Sequence, residues 1–150
     1  VKDETLLGKR MQDGMSRGIL LPSFVPAFLV PRALDASFQE DQHLMLDGVI
    51  RNPLQAEVVD ELFTFIERDE PQGIVLELTP EAARARLIAR GRFDDTNEEA
   101  LKARFAWYEE QTVPALANLE KKGWRIHRFD GDRSIEDVQA DIRAALNLSV

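Results

Sequence analysis

Apolar positions in this chain recur every three or four residues over long stretches and cluster or alternate in only three short ones, which predicts helices wrapped around a small sheet. Residues 5–16 carry Leu6, Leu7, Met11 and Met15 at helical spacing, with Gly18 as a stop and Ile19, Leu20, Leu21 and Pro22 as an apolar connector. Phe24, Phe28, Leu29 and Leu34 predict a second helix over residues 23–37. Pro26 fits its first turn, whereas Pro31 should kink or end it. The run His43, Leu44, Met45, Leu46 leads straight into Asp47 and Gly48, the pattern of a buried strand in an α/β sheet. A helix follows over residues 54–68, with Leu54, Val58, Leu62 and Ile66 on one stripe.

Gly73 precedes a second strand at residues 74–78, and Thr79 and Pro80 open the next helix, residues 80–89, as N-cap and first residue. From 97 to 121 the stripe Leu101, Phe105, Tyr108, Thr112, Leu116 and Leu119 predicts a long helix that Pro114 should kink or divide and Gly123 ends. Residues 124–129 alternate as a strand with one exposed face does, and Asp130, Gly131, Asp132 and Arg133 turn the chain. Ser134 caps a last helix with Ile135, Val138, Ile142 and Leu146 inward. The order of strands and helices is that of a three-layer α/β domain, and 150 residues with 44% hydrophobic content suit one core.

Charge sharpens the picture. The formal net charge is −8, yet five arginines, at 84, 86, 90, 92 and 104, fall within 21 residues. Arg86 and Arg90 share a helix face, Gly91 releases the chain into a loop carrying Arg92, Asp94 and Asp95, and Thr96 to Glu99 has the form of a capping box. Two readings stay open: a ring of guanidinium groups that grips phosphate bidentately, or a helix surface laced with Arg–Glu pairs. The acidic balance argues against a nucleic-acid polymer as partner. No run approaches the ~20 apolar residues of a membrane helix, so a soluble, cytoplasmic protein with no membrane partner is expected. Cysteine is absent, which excludes thiolate metal sites, and His43 and His127 stand alone. The chain opens on Val1 rather than methionine, and the expectation is that it continues a longer one.

Four segments, in order, carry a resemblance. Residues 46–51 read Leu-Asp-Gly-Val-Ile-Arg and are followed by Gln55, Ala56 and Glu57; residues 86–96 hold the arginine run; then come Arg104 with Tyr108, and Asp130 with Gly131. Together they resemble the nucleoside monophosphate kinases, adenylate kinase-like members in particular, and the opening from Leu7-Gly8-Lys9 to Pro22 is similar to that family's monophosphate-binding segment. The resemblance implies a P-loop kinase-like parallel sheet with flanking helices in one domain over 1–150, with residues 1–37 as the monophosphate-binding helices and 90–97 as a short lid. It also implies transfer of the terminal phosphoryl group of ATP to a nucleoside monophosphate, AMP foremost, with Mg²⁺ and by a monomer.

Carried onto this chain, the resemblance gives Arg51 the phosphate of the monophosphate and Gln55 its base, with Leu20 in the same binding segment. Gly48 would let that base approach the backbone, and Asp47 would bind Mg²⁺ through water. Arg86 and Arg92 would clasp the donor triphosphate, Arg90 and Arg104 would stabilise the transferring phosphoryl group, and Asp94 and Asp95 would order the closing hairpin. The turn from Gly131 to Arg133 would border the donor adenine.

Two departures matter. The family's usual Phe-Pro-Arg is Val49-Ile50-Arg51 here, and no Gly-x-x-x-x-Gly-Lys-Ser/Thr loop occurs in the 150 residues. In the family that loop comes before everything matched here. The family's first strand comes with it, and it sits between those matching residues 44–46 and 74–78. The expectation is a sheet with a gap at its centre, and residues 1–150 that alone neither fold stably nor transfer phosphate. Another small P-loop kinase with a different acceptor, and a truncated, non-catalytic nucleotide-binding or interaction module, remain as alternative readings.

Overall fold

Helix starts follow the caps that the sequence supplies. In a computed structural model, residues 5–16, 21–68, 70–91 and 98–148 are described. Helices α1 (Leu6–Ser16) and α2 (Phe24–Ser37) lead to α3 (Pro53–Phe65), whose N-cap Asn52 accepts from the Gln55 amide at 3.0 Å and donates to Ser23 Oγ at 2.7 Å. Strand β1 (Gln72–Glu77) feeds α4 (Pro80–Arg90), capped by Thr79, with Gly91 left-handed at its end. Helix α5 (Glu98–Trp107), a π-helical turn at Tyr108–Thr112 and α6 (Val113–Lys121) precede β2 (Arg125–Asp130), and α7 (Ile135–Ala145) starts at the Ser134 cap.

The core forms where α3 and α6 meet. Ala56 and Val59 bury against Ala115, Leu119 and Trp124, and Leu46, Val49, Ile50, Phe63 and Ile126 close around them. Alanines at the contact let the helix axes approach closely, so enlarging either would overpack the seam. The two helices run parallel. Thr112 meets Arg51 at their starts, and Lys122 meets Glu57 and Asp60 further along α3. Strands β1 and β2 pair in parallel from Gln72↔Arg125 to Glu77↔Asp130, forming an α/β arrangement with helices around a two-stranded sheet.

Several expectations need correction. Residues 43–46 do not form a strand: they are irregular and carry no ladder, because among the described residues no strand lies beside them. Among the described residues β1 pairs with β2 alone. Helix α2 runs through Pro31 to Ser37 rather than ending there. On α3 the buried face is Gln55, Ala56 and Val59, while Leu54 is 51% exposed, because α6 covers the neighbouring stripe. The long helix is divided by the π turn just before Pro114. Ala115 is buried where Leu116 was expected, and Tyr108 faces outward. On α7, Val138 is buried but Ile135, in the first turn, is 80% exposed. The stop at Gly18, the connector residues Ile19 and Leu20, the capping box residues Thr96 and Asn97, and the expected hairpin at 92–97 lie outside the described residues. No described helix is long and apolar enough to cross a membrane.

At the far end of the α3–α6 seam, Trp124 stacks on Phe63 with ring centroids 5.3 Å apart and donates its indole N–H to Asp60 at 2.8 Å. Lys122 reaches the other Asp60 oxygen at 2.8 Å. Burial raises the Asp60 carboxyl, but the hydrogen bonds from Lys122 and Trp124 and the lysine charge outweigh it, so the group lies below the usual carboxylate value. A carboxyl more acidic in the folded state adds stability above the ordinary carboxylate pKa and loses it as pH falls through the folded value. Asp60→Asn is therefore expected to flatten the acid limb of the stability profile as pH falls through and below the ordinary carboxylate range, read from urea midpoints. Asp60→Ala strands the Trp124 N–H and should cost about 1–3 kcal/mol at neutral pH. An acid limb that keeps its slope in Asp60→Asn would contradict this account.

Candidate active site

The segment that presents Asp47, Gly48 and Arg51 is anchored on both sides by core residues. Leu46 packs into the core before it and Val49 and Ile50 after it, so Asp47 and Gly48 are pushed out as an exposed bend. Gly48 sits at φ 61°, and a Cβ there would lie 3.1 Å from the Arg51 guanidinium, so both the backbone and the packing call for glycine. Arg51 folds its Nε onto the Gly48 carbonyl at 2.7 Å, leaving the two Nη groups as donors for a ligand.

Arg51 is also fixed through its backbone. Its amide donates to Gln55 Oε1 at 2.8 Å, and its carbonyl accepts both Trp107 Nε1 at 3.1 Å and Thr112 Oγ1 at 3.0 Å. Gln55 is buried, and its carbonyl oxygen serves the Arg51 amide, so toward a ligand it offers chiefly its Nε2 donors. Helical periodicity placed Thr112 on the inward stripe. The carbonyl acceptor that Trp107 and Thr112 share has no signal in that periodicity, because five residues span about 1.4 turns of an α-helix.

A second constellation lies at the carboxyl ends of β1 and β2, where α/β sheets bind ligands. The amide of Gly131 donates to Glu77 O at 2.7 Å, and a Cβ at Gly131 would meet that oxygen at 3.0 Å and Leu78 at 3.2 Å. Arg86 reaches across from α4 to the Gly131 carbonyl at 2.5 Å, and Asp132 accepts the Thr79 amide at 3.2 Å. Arg133 turns instead to α7, pairing with Asp141 at 2.5 Å and more distantly with Asp137. The structure thus joins Arg86 with Gly131 and joins Gly48, Arg51 and Gln55, while Arg133 belongs to a helix surface.

Arg90 closes α4 immediately before Gly91 and is exposed; Arg104 is half-buried in the last turn of α5. An Arg84–Glu98 ion pair ties α4 to α5. Leu20, Arg92, Asp94 and Asp95 lie outside the described residues. A cleft of about 550 Å³, lined by residues including Phe63, Arg68, Pro71, Lys122 and Trp124, opens at the amino ends of the strands. It is at the opposite end of the sheet from Glu77 and Gly131, and its Lys122 and Asp60 are paired with each other, so it is not the site sought.

Mg²⁺ keeps several waters and takes one or two carboxylates together with phosphate oxygens. Asp47 supplies one exposed carboxylate, and among the described residues no cluster of three or more acidic or histidine groups could hold a metal. These residues fit an ion that arrives with a nucleotide, not a resident one.

No protein-family model matches the chain. Among curated proteins, the adenylate kinase of Synechococcus sp. (strain JA-2-3B'a(2-13)) is 35% identical over 150 residues, taking in 97% of this chain and 76% of that one. The adenylate kinase of Thermobifida fusca (strain YX) is 35% identical over 151 residues, covering 97% and 78%. That of Flavobacterium psychrophilum is 28% identical, covering 98% and 78%. Similarity of this extent, over an α/β arrangement with a parallel sheet, leads to one conclusion: the chain belongs to the adenylate kinase family.

Proposed function

We propose that this chain serves a nucleoside monophosphate kinase that moves the terminal phosphoryl group of ATP to AMP, reversibly and with Mg²⁺, as a monomer in the cytoplasm. The observation that carries the reading is the Arg51 loop. Its backbone is hydrogen-bonded at both the amide and the carbonyl, and its guanidinium is set by Gly48, as a rigid phosphate-binding arginine requires. In this reading Arg51 binds the acceptor phosphate, Gln55 and Gly48 border its base, and residues 1–37 with Leu20 form the rest of that pocket. Asp47 holds Mg²⁺ through water, and the ion neutralises phosphate charge when bound.

Arg86 and Arg92 meet the donor phosphates, with the turn from Gly131 to Arg133 beside the donor base. Arg90 and Arg104 stabilise the transferring group, and residues 90–97, with Asp94 and Asp95, close as a lid that excludes water. Phosphoryl transfer of this kind relies on positioning and charge neutralisation rather than on a covalent protein nucleophile. The single domain over 1–150 with these subregions is part of the same proposal.

In the protein as the cell makes it, Arg90→Glu should lower turnover by about 10³-fold or more while AMP binding changes little. A coupled assay and calorimetry measure the two quantities, and undiminished turnover would remove Arg90 from the site. At equal concentrations AMP should turn over while CMP, UMP and GMP do not. No reaction with AMP would sink the adenylate assignment.

A further inference from the structure

Trp107 and Thr112 lie on either side of a single irregular turn and donate to the same oxygen. In a regular α-helix, residues five apart point about 140° away from each other, so both side chains cannot meet one carbonyl from one face. Here Tyr108–Thr112 is π-helical, with the Val113 amide bonded to Tyr108 O, and the wider turn brings position 112 round toward position 107. Pro114 accounts for the irregularity: it has no N–H to give Glu110, and its ring crowds that carbonyl. The result is that the Arg51 carbonyl receives Trp107 at 3.1 Å and Thr112 at 3.0 Å, filling both lone pairs.

We propose that Trp107 and Thr112 are positioning residues for acceptor binding: presented together by the π turn, they fix the Arg51 peptide so that its guanidinium is set before the acceptor phosphate arrives. The proposal rests on the reading of Arg51 as the acceptor-phosphate ligand. Its physical basis is preorganisation. The amide of Arg51 is held by Gln55, the carbonyl by Trp107 and Thr112, and Nε by Gly48, so little freedom is left to lose on binding. Neither side chain touches the acceptor in this scheme. Each acts through Arg51, and the donor nucleotide should not sense its loss.

The test is steady-state kinetics on the full chain, with AMP and ATP varied separately. The isosteric Thr112→Val, and Trp107→Phe, should each raise the KM for AMP about fivefold, with the KM for ATP unchanged and kcat nearly so; Thr112→Ser should restore the AMP value. A purely structural role would instead lower the active fraction, reducing kcat and leaving both KM values alone, and that outcome overturns the proposal. Arg51→Lys separates the two levels. If it leaves the KM for AMP unchanged, the reading of Arg51 fails. If it raises that KM while Thr112→Val and Trp107→Phe do not, only the positioning role fails. A readout free of variants is the indole N–H resonance of Trp107, which should move when the wild-type protein is saturated with AMP; a resonance that stays in place also overturns the proposal.

Discussion

The close approach of α3 and α6 across Ala56 and Ala115 is the constraint on which the rest of the structure depends. It sets two parallel helices side by side with their starts at the Arg51 loop. The start of α3 carries the positive end of a macrodipole, worth about 0.3–1 kcal/mol toward an exposed anion, whereas α6 continues from the π turn with its Val113 amide bonded to Tyr108. In a chain with a net charge of −8, that local field matters more than the overall balance. The opposite end of the same seam is occupied by the Asp60–Lys122–Trp124 cluster, where a lysine just past the end of α6 is well placed against the negative dipole end. One helix contact therefore polarises the molecule into an anion-favouring end and a self-paired end.

The arginine-rich stretch is neither a pure phosphate ring nor a pure surface lace. Arg84 pairs with Glu98, both about half exposed, an arrangement that contributes little by itself but joins α4 to α5. Arg133, outside the stretch, is likewise committed to carboxylates of α7. Arg86 gives one Nη to the Gly131 carbonyl and so joins α4 to the turn after β2. Charge density along the chain could not tell how Arg84 and Arg86 are used, because their partners lie 14 and 45 positions away.

Local chemistry was legible in the sequence where it acts locally. Thr79 with Pro80, Ser134, and Gly91 start or stop helices through bonds to residues within three or four positions, and the structure has each of them in that role. Apart from residues 43–46, the order of the described elements was equally readable. What periodicity missed depends on neighbours. Residues 43–46 look like a strand in composition, but a strand is a pairing, and none of the described residues pairs with them. The inward face of α3 is set by where α6 lies, which buries Gln55 and leaves Leu54 out. Gln55 illustrates the limit at the site itself. Its buried amide braces the Arg51 backbone, a use that no spacing rule assigns to a glutamine in a first helical turn.

The division of the long helix shows how a local penalty becomes a tertiary feature. A proline inside a helix removes one hydrogen bond and crowds the preceding turn, and a regular helix through Pro114 would carry that cost with no return. Widening the turn relieves the crowding. Beyond it, Ala115 and Leu119 are the residues that face α3. The small residue then permits the close helix approach, and that approach brings Thr112 within reach of the Arg51 carbonyl. Pro114 lies far from Arg51 in sequence, yet the two are joined through a chain of contacts: turn, seam, carbonyl.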